Sequence, residues 1–211
     1  EIDLTDGSIV WIQDFELVHP GELDLGAVKE AFQEQFARVW RGQAESDGFN
    51  RLVLGRGLNW RQTMLLRAYC KYLLQIGVSF SQAYMERALY SHPGIAALLV
   101  QLFEARHDPA GGAKRDPLTQ AYTTDIAKQL EEVSSLDDDR ILRLFLSAVL
   151  ATMRTNYFQK DAAGDHKPYV SFKFDPSMLP DLPLPRPMFE IWVYSPRVEG
   201  VHLRMGKVAR G

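Results

Sequence analysis

PLPRPMFEIWVYSPRVEGVHLRMGKVARG, residues 183–211, carries three signals in one stretch. Prolines at 183, 185 and 187 forbid helix on the approach. Met188–Tyr194 then reads as a buried strand and Val201–Met205 as a half-exposed one, joined by a turn. The stretch finishes as Gly206-Lys207-Val208-Ala209-Arg210-Gly211, a glycine-and-cation segment of the kind that lines anion sites. A chain that stops inside such a segment is expected to be part of a longer enzyme.

Further strand character lies just upstream. Val170, Phe172 and Phe174 alternate with Ser171 and Lys173. Six prolines between Pro168 and Pro187 punctuate an extended path. If the sheet is cut, Val170–Phe174 and Phe189–Tyr194 are expected to expose unpaired edges.

From about Gly42 to Lys160 the spacing predicts helix throughout. Asn59 and Gln62 stand at N-cap and N3 of a helix through Leu65, Leu66, Tyr69, Tyr72, Leu73 and Ile76, closed by Gly77. Ser79 and Gln82 repeat that spacing, and Pro93 and Pro117 suit first helical turns. Asp137, Asp138 and Asp139 form an acidic first turn and are read as a cap, because successive helix positions point apart and cannot converge on a metal. Behind them Ile141, Leu142, Phe145, Leu146, Val149, Leu150 and Met153 mark one apolar face. At the front, Ile9–Val18 reads as a strand, and Asp24 caps a helix carrying Val28, Phe32, Phe36, Val39 and Trp40. The fold class is therefore α+β: a central multi-helix domain, an N-terminal strand-helix element and a C-terminal group of β-strands.

Composition narrows the function classes. A net charge of -3 argues against nucleic acid or an anionic membrane as main partner. No apolar run approaches the roughly 20 residues of a membrane span. One cysteine, Cys70, allows no internal disulfide, and with an acidic N-terminus that lacks a signal pattern it points to the cytoplasm. Val53–Trp60 contains Gly55 and Gly57 but places Trp60 where a dinucleotide loop needs a small residue, so it reads as a turn. The five histidines lack the short spacing of a metal site and read as caps or surface residues, with His202 best placed for function. No residue within the chain is assigned a catalytic, cofactor-binding or metal-binding role.

Whole stretches then carry a resemblance: Glu45–Leu54 (ESDGFNRLVL), Asn59-Trp60-Arg61, Leu66–Tyr69, Phe80–Tyr84, Leu102–Arg106, Arg154–Phe158 and Asp181–Gly211. In this order they resemble the large bacterial NAD-specific glutamate dehydrogenases. The resemblance implies a parent several times longer that uses NAD to deaminate L-glutamate to 2-oxoglutarate and ammonia, as a homo-oligomer. It implies that residues 1–44 end an ACT-like regulatory module, 45–160 form a helical linker domain, and 161–211 begin the catalytic substrate-binding lobe. Lys207, Arg210 and Gly211 match the first half of the family's substrate-binding motif, with Met205 where a glycine is expected. The catalytic lysine, its aspartate and the nucleotide-binding domain would follow downstream, so this chain alone would bind no NAD and turn nothing over. The alternative is an allosteric or oligomerisation helical module without catalytic function.

Overall fold

The computed structural model describes residues 2–3, 5–14, 16, 18, 23–180 and 182–206. A short hairpin, β1 (Ile2–Asp3) and β2 (Ile9–Val10), opens the chain and is followed by helix α1 (Leu25–Trp40). The long strand expected over Ile9–Val18 is not formed: residues 11–14 are irregular and Trp11 is 66% exposed, so no facing surface rewards extending the pairing. Asp24 does cap α1, its carboxylate accepting from the N–H groups of Gly26 and Ala27.

Six helices follow: α2 (Arg51–Arg56), α3 (Trp60–Gln75), α4 (Gln82–Ser91), α5 (Pro93–His107), α6 (Arg115–Leu130) and α7 (Leu136–Ala151). Helix α3 is the axis of the molecule, with twelve of its sixteen residues buried. Its start is the expected capping box, in which Asn59 and Gln62 each satisfy the other's backbone N–H groups. Its end is a Schellman turn: Gly77 takes φ 89°, donating to Leu74 while Val78 donates to Leu73. Helix α4 starts two residues later than the Ser79 spacing predicts, because Ser81 is the residue whose hydroxyl reaches Tyr84 N–H. The cap of α7 is likewise Ser135 and not the aspartates. Each aspartate has its own partner: Asp137 accepts from the Tyr84 hydroxyl at 2.9 Å, Asp138 meets His92 at 3.2 Å, and Asp139 pairs with Arg143 at 2.8 Å.

The helical run stops earlier than Lys160. Thr152–Thr155 is strand β3, which forms an antiparallel sheet with β4 (Val170–Phe174), β5 (Phe189–Ser195) and β6 (Val198–Arg204) in the order β3-β4-β5-β6. The sequence places Met153 on a helical face, but Thr152 leaves the helix with extended geometry and pairs with Phe174. The edges of this sheet are therefore β3 and β6, while Val170–Phe174 and Phe189–Tyr194 are its paired centre.

One face of the sheet lies on α3. Tyr69 stacks on Phe172 with ring centres 4.6 Å apart, and Tyr72 stacks on Phe174 at 4.1 Å. Trp192 is wholly buried and donates its indole N–H to the carbonyl of Ala68 at 3.1 Å. The Tyr69 hydroxyl meets Thr152 Oγ1 at 2.7 Å, and the Tyr72 hydroxyl donates to the buried carboxylate of Glu190. Burial raises the pKa of both tyrosines, and for Tyr72 the Glu190 carboxylate adds to it, so both hydroxyls stay protonated. Helices and sheet thus share one continuous apolar core. Cys70 lies inside it, its thiol pushed up by burial and 4.0 Å from the sulfur of Met85.

Arg67 is 1% exposed and fully partnered on one side. Its Nε and Nη2 grip both oxygens of Asp47 at 2.6 and 2.7 Å, and Nη2 also reaches Asn50 Oδ1 at 2.8 Å. Burial opposes its charge, but Asp47, with Tyr194 and Glu45 behind it, more than restores it. Arg67→Met leaves Asp47 in the interior without its counter-ion and is expected to cost about 3–5 kcal/mol of stability in urea titration. Arg143→Ala, at a half-exposed pair, is expected to cost less than about 1 kcal/mol.

His107 supplies a second expectation. Burial, then the charges of Arg106 and Arg115, depress it from 6.5 to about 4. Its neutral form is the one the fold holds. The unfolded chain gains a proton below pH 6.5 and the folded chain does not until about pH 4, so stability drains away across that window as pH falls. Thermal melts of His107→Gln are expected to show a shallower decline between those pH values than the parent chain.

Candidate functional site

Lys207, Arg210 and Gly211 lie outside the described residues, so the site is built from what leads to them. Strand β6 delivers the chain to Met205 and Gly206, pairing with β5 along its whole length from Ser195↔Val198 to Phe189↔Arg204. Met188 N–H extends the ladder to the carbonyl of Arg204 at 2.8 Å. The last described residues before the basic segment are therefore held by main-chain bonds to a strand whose Trp192 and Tyr194 are anchored in the core.

The pleat gives this sheet two unlike faces. Val170, Phe172, Phe174, Glu190, Trp192 and Tyr194 point to the helices and are buried. Their neighbours Lys173, Phe189, Ile191 and Val193 take the opposite face and are only half-buried. In register on that face run Arg154, Lys173, Ile191 and His202, with Arg204 opposite Phe189. The Lys173 ammonium sits 3.7 Å from the centre of the Phe189 ring, which fixes it to the sheet without neutralising it. No acidic residue stands on that face of β4, β5 or β6. His202, singled out from sequence, is exposed there. Arg154 and Lys173 on an otherwise apolar sheet face attract anions.

Behind the sheet, carboxylates and cations are closely matched. Tyr194 donates to Glu45 Oε1 at 2.8 Å, and Lys71 lies 3.5 Å from both Glu45 and Glu199. Asn50 Nδ2 bonds the carbonyl of Glu45 at 2.9 Å, and Gln35 reaches Asn50 from α1 at 2.8 Å. A second knot forms at the start of α3. Arg61 donates to the carbonyls of Tyr157 at 3.0 Å and Lys167 at 2.9 Å, while Gln62 and the Tyr157 hydroxyl share Glu104. Asn156 accepts from Ser171 N–H at 2.7 Å and so ties the β3–β4 connection to the sheet.

Sequence reasoning missed both knots. Arg61, Arg67 and Glu190 look like ordinary charges on amphipathic elements, and only the partner 20 to 118 residues away shows otherwise. One signal was present: in Phe189–Tyr194 the parity Glu190-Trp192-Tyr194 carries every polar atom, the mark of a strand facing a helix rich in hydroxyls. The stretches that carry the family likeness are the ones brought together here. Glu45–Leu54 meets Leu66–Tyr69 at Arg67, Asn59–Arg61 meets Arg154–Phe158 at Arg61, and Leu102–Arg106 meets the latter at Glu104.

Residues 53–60 form a helix end and a turn, not a dinucleotide loop. Arg51–Arg56 is helix, Gly57 ends it at φ 65°, and Asn59 starts the next helix, so no strand precedes these glycines. The described sheets are antiparallel throughout, without the parallel βαβ unit such a site requires. Among the described residues, no group of three His, Cys, Asp or Glu side chains could hold a metal ion, and no helix is long and apolar enough to cross a membrane.

Comparison with known proteins bears on the same residues. Residues 125–211 match the bacterial NAD-glutamate dehydrogenase catalytic domain, and residues 44–109 match glutamate dehydrogenase helical motif 3. The chain is 46% identical over 213 aligned positions to the NAD-specific glutamate dehydrogenase of Halomonas elongata, covering 100% of this chain. It is 46% identical to that of Pseudomonas aeruginosa and 44% to that of Mycobacterium tuberculosis, each over 98% of this chain. It spans only 13% of the length of each of these relatives. The chain belongs to the family of bacterial NAD-specific glutamate dehydrogenases, of which it carries a helical-motif segment and a catalytic-domain segment.

Proposed function

We propose that this chain is the part of an NAD-dependent glutamate dehydrogenase that joins the regulatory region to the substrate-binding lobe. The parent enzyme deaminates L-glutamate oxidatively to 2-oxoglutarate and ammonia. The observation that carries this reading is the sheet face that bears Arg154 and Lys173 with no acidic residue on β4–β6, and β6 leads in sequence to Lys207, Arg210 and Gly211. Those three residues hold a carboxylate of glutamate, and the face draws the dicarboxylate toward them. NAD and the groups that act on the substrate Cα belong to other parts of the parent.

In this reading residues 1–44 end an ACT-like module, 45–160 form the helical domain, and 161–211 supply the first strands of the catalytic lobe. The core shared by helices and sheet supports a rigid joint. The parent is a cytoplasmic homo-oligomer. A second reading, an assembly or allosteric module, is favoured by α1, whose Phe32, Phe36 and Trp40 stack at 6.4 and 6.2 Å with Trp40 79% exposed.

The test is a chimera in which this chain replaces the corresponding segment of the Halomonas elongata enzyme. The chimera is expected to form NADH from glutamate, and the isolated chain to form none. Lys207→Met in the chimera is expected to raise KM for glutamate about tenfold or more, leaving KM for NAD unchanged. An unchanged KM for glutamate would remove Lys207 from the site. Trp40→Ser that lowers the sedimenting mass of the parent chain would favour the assembly reading.

A further inference from the structure

An open cleft of about 400 Å³ lies between the end of α5, the start of α6 and the turn from α7 into β3. Its size is in the range of sites for small metabolites. Arg106, His107 and Arg115 line it from the helices, with the hydroxyl-bearing Thr119 beside them. Leu150 and Met153 give it an apolar wall.

The charges there are unbalanced. Neither Arg106 nor Arg115 forms an ion pair among the described residues: Arg106 donates to the carbonyls of Leu150 at 2.9 Å and Thr152 at 3.5 Å, and Arg115 to that of Asp108 at 2.9 Å. Two further polar atoms, Arg106 Nε and His107 Nε2, are buried with no hydrogen-bond partner. An unsatisfied donor on a cation is among the costlier things to bury, and a protein that keeps one commonly offers it to a ligand. Asp116 and Asp175 also line the cleft. Asp175 is occupied, accepting from both the backbone N–H and the hydroxyl of Ser177, and Asp116 belongs to the first turn of α6.

We infer that this cleft binds a small oxyanion, a carboxylate or phosphate group held by Arg106 and Arg115 with His107 beside them. The inference stands apart from the glutamate reading, since Arg106, His107 and Arg115 belong to α5 and α6 and not to the strands of that reading. Arg106 already holds the carbonyls where α7 becomes β3, so an anion on the same guanidinium ties α5 and α6 to the first strand of the sheet. The site also lies where the two family matches approach each other: Arg106 and His107 fall in the helical motif, and the α7–β3 turn in the catalytic domain. That position suits an effector site, because occupancy would bear on the sheet from its edge strand.

The experiment is NMR of the His107 ring in the 211-residue chain, titrated with inorganic phosphate or acetate at ionic strength fixed by chloride. A saturable shift is expected, with the His107 ring titrating at higher pH when the anion is bound, since the ligand offsets the two arginines. Saturation by phosphate alone assigns a phosphate ligand, and saturation by acetate a carboxylate. Arg115→Met, which removes one exposed guanidinium and a single carbonyl bond, is expected to weaken binding about tenfold while leaving the melting temperature near its parent value. Asp116→Asn is expected to tighten it. A drift equal to that given by chloride, or an affinity unchanged in Arg115→Met, overturns the site.

Discussion

A guanidinium taken out of water keeps its charge only if acceptors surround it, and Arg67 is such a group at the centre of this molecule. Its fork closes on Asp47, and the same nitrogen reaches Asn50. This fixes the loop before α2 against α3, because any slip of one residue would leave an ion in the interior. The other polar contacts extend from there. Asn50 takes hold of Glu45, Glu45 of Tyr194 and Lys71, and Lys71 of Glu199 on the edge strand. Hydrogen bonds and ion pairs thus run from Gln35 on helix α1 to Glu199 on strand β6.

The apolar part of the fold has the same centre. With twelve residues buried, α3 offers the sheet two tyrosine rings and a backbone carbonyl, and the sheet answers with Phe172, Phe174 and Trp192. Stacked rings set the height of the sheet above the helix, while the hydroxyls on Thr152 and Glu190 set its slide along the axis. The opposite face carries Arg154 and Lys173 among the half-buried Phe189, Ile191 and Val193.

Local signals were legible where the cause was local. The capping box of α3, its glycine stop, Pro93 at the start of α5, and the alternation in Val170–Phe174 all follow from neighbours within a few residues. The same is true of α1 from its Asp24 cap. The strand at Thr152–Thr155 was not legible, because its apolar spacing continues that of α7 and only pairing with β4 turns it. Two hydroxyl caps, Ser81 and Ser135, compete with equally good residues one turn away, and packing decides between them. Of the basic segment 206–211 the sequence shows the composition, while the pairing of Arg154 with Lys173 across the sheet appears only in the fold. His107, read as a cap or surface residue, is half-buried, its ring 4.8 Å from that of Phe103 on the preceding turn.

The long reach of the α3 anchors shapes how such a sequence can drift. Arg67 depends on a residue 20 positions away, Arg61 on carbonyls 96 and 106 positions away, and Tyr72 on a carboxylate 118 positions away. For Arg67 and Tyr72 the partner is a side chain, so a change at either end calls for a matching change at the other, whereas Arg61 holds main-chain carbonyls that any residue would supply. Recombination that cuts between residues 45 and 190 would separate side chains that this core needs together.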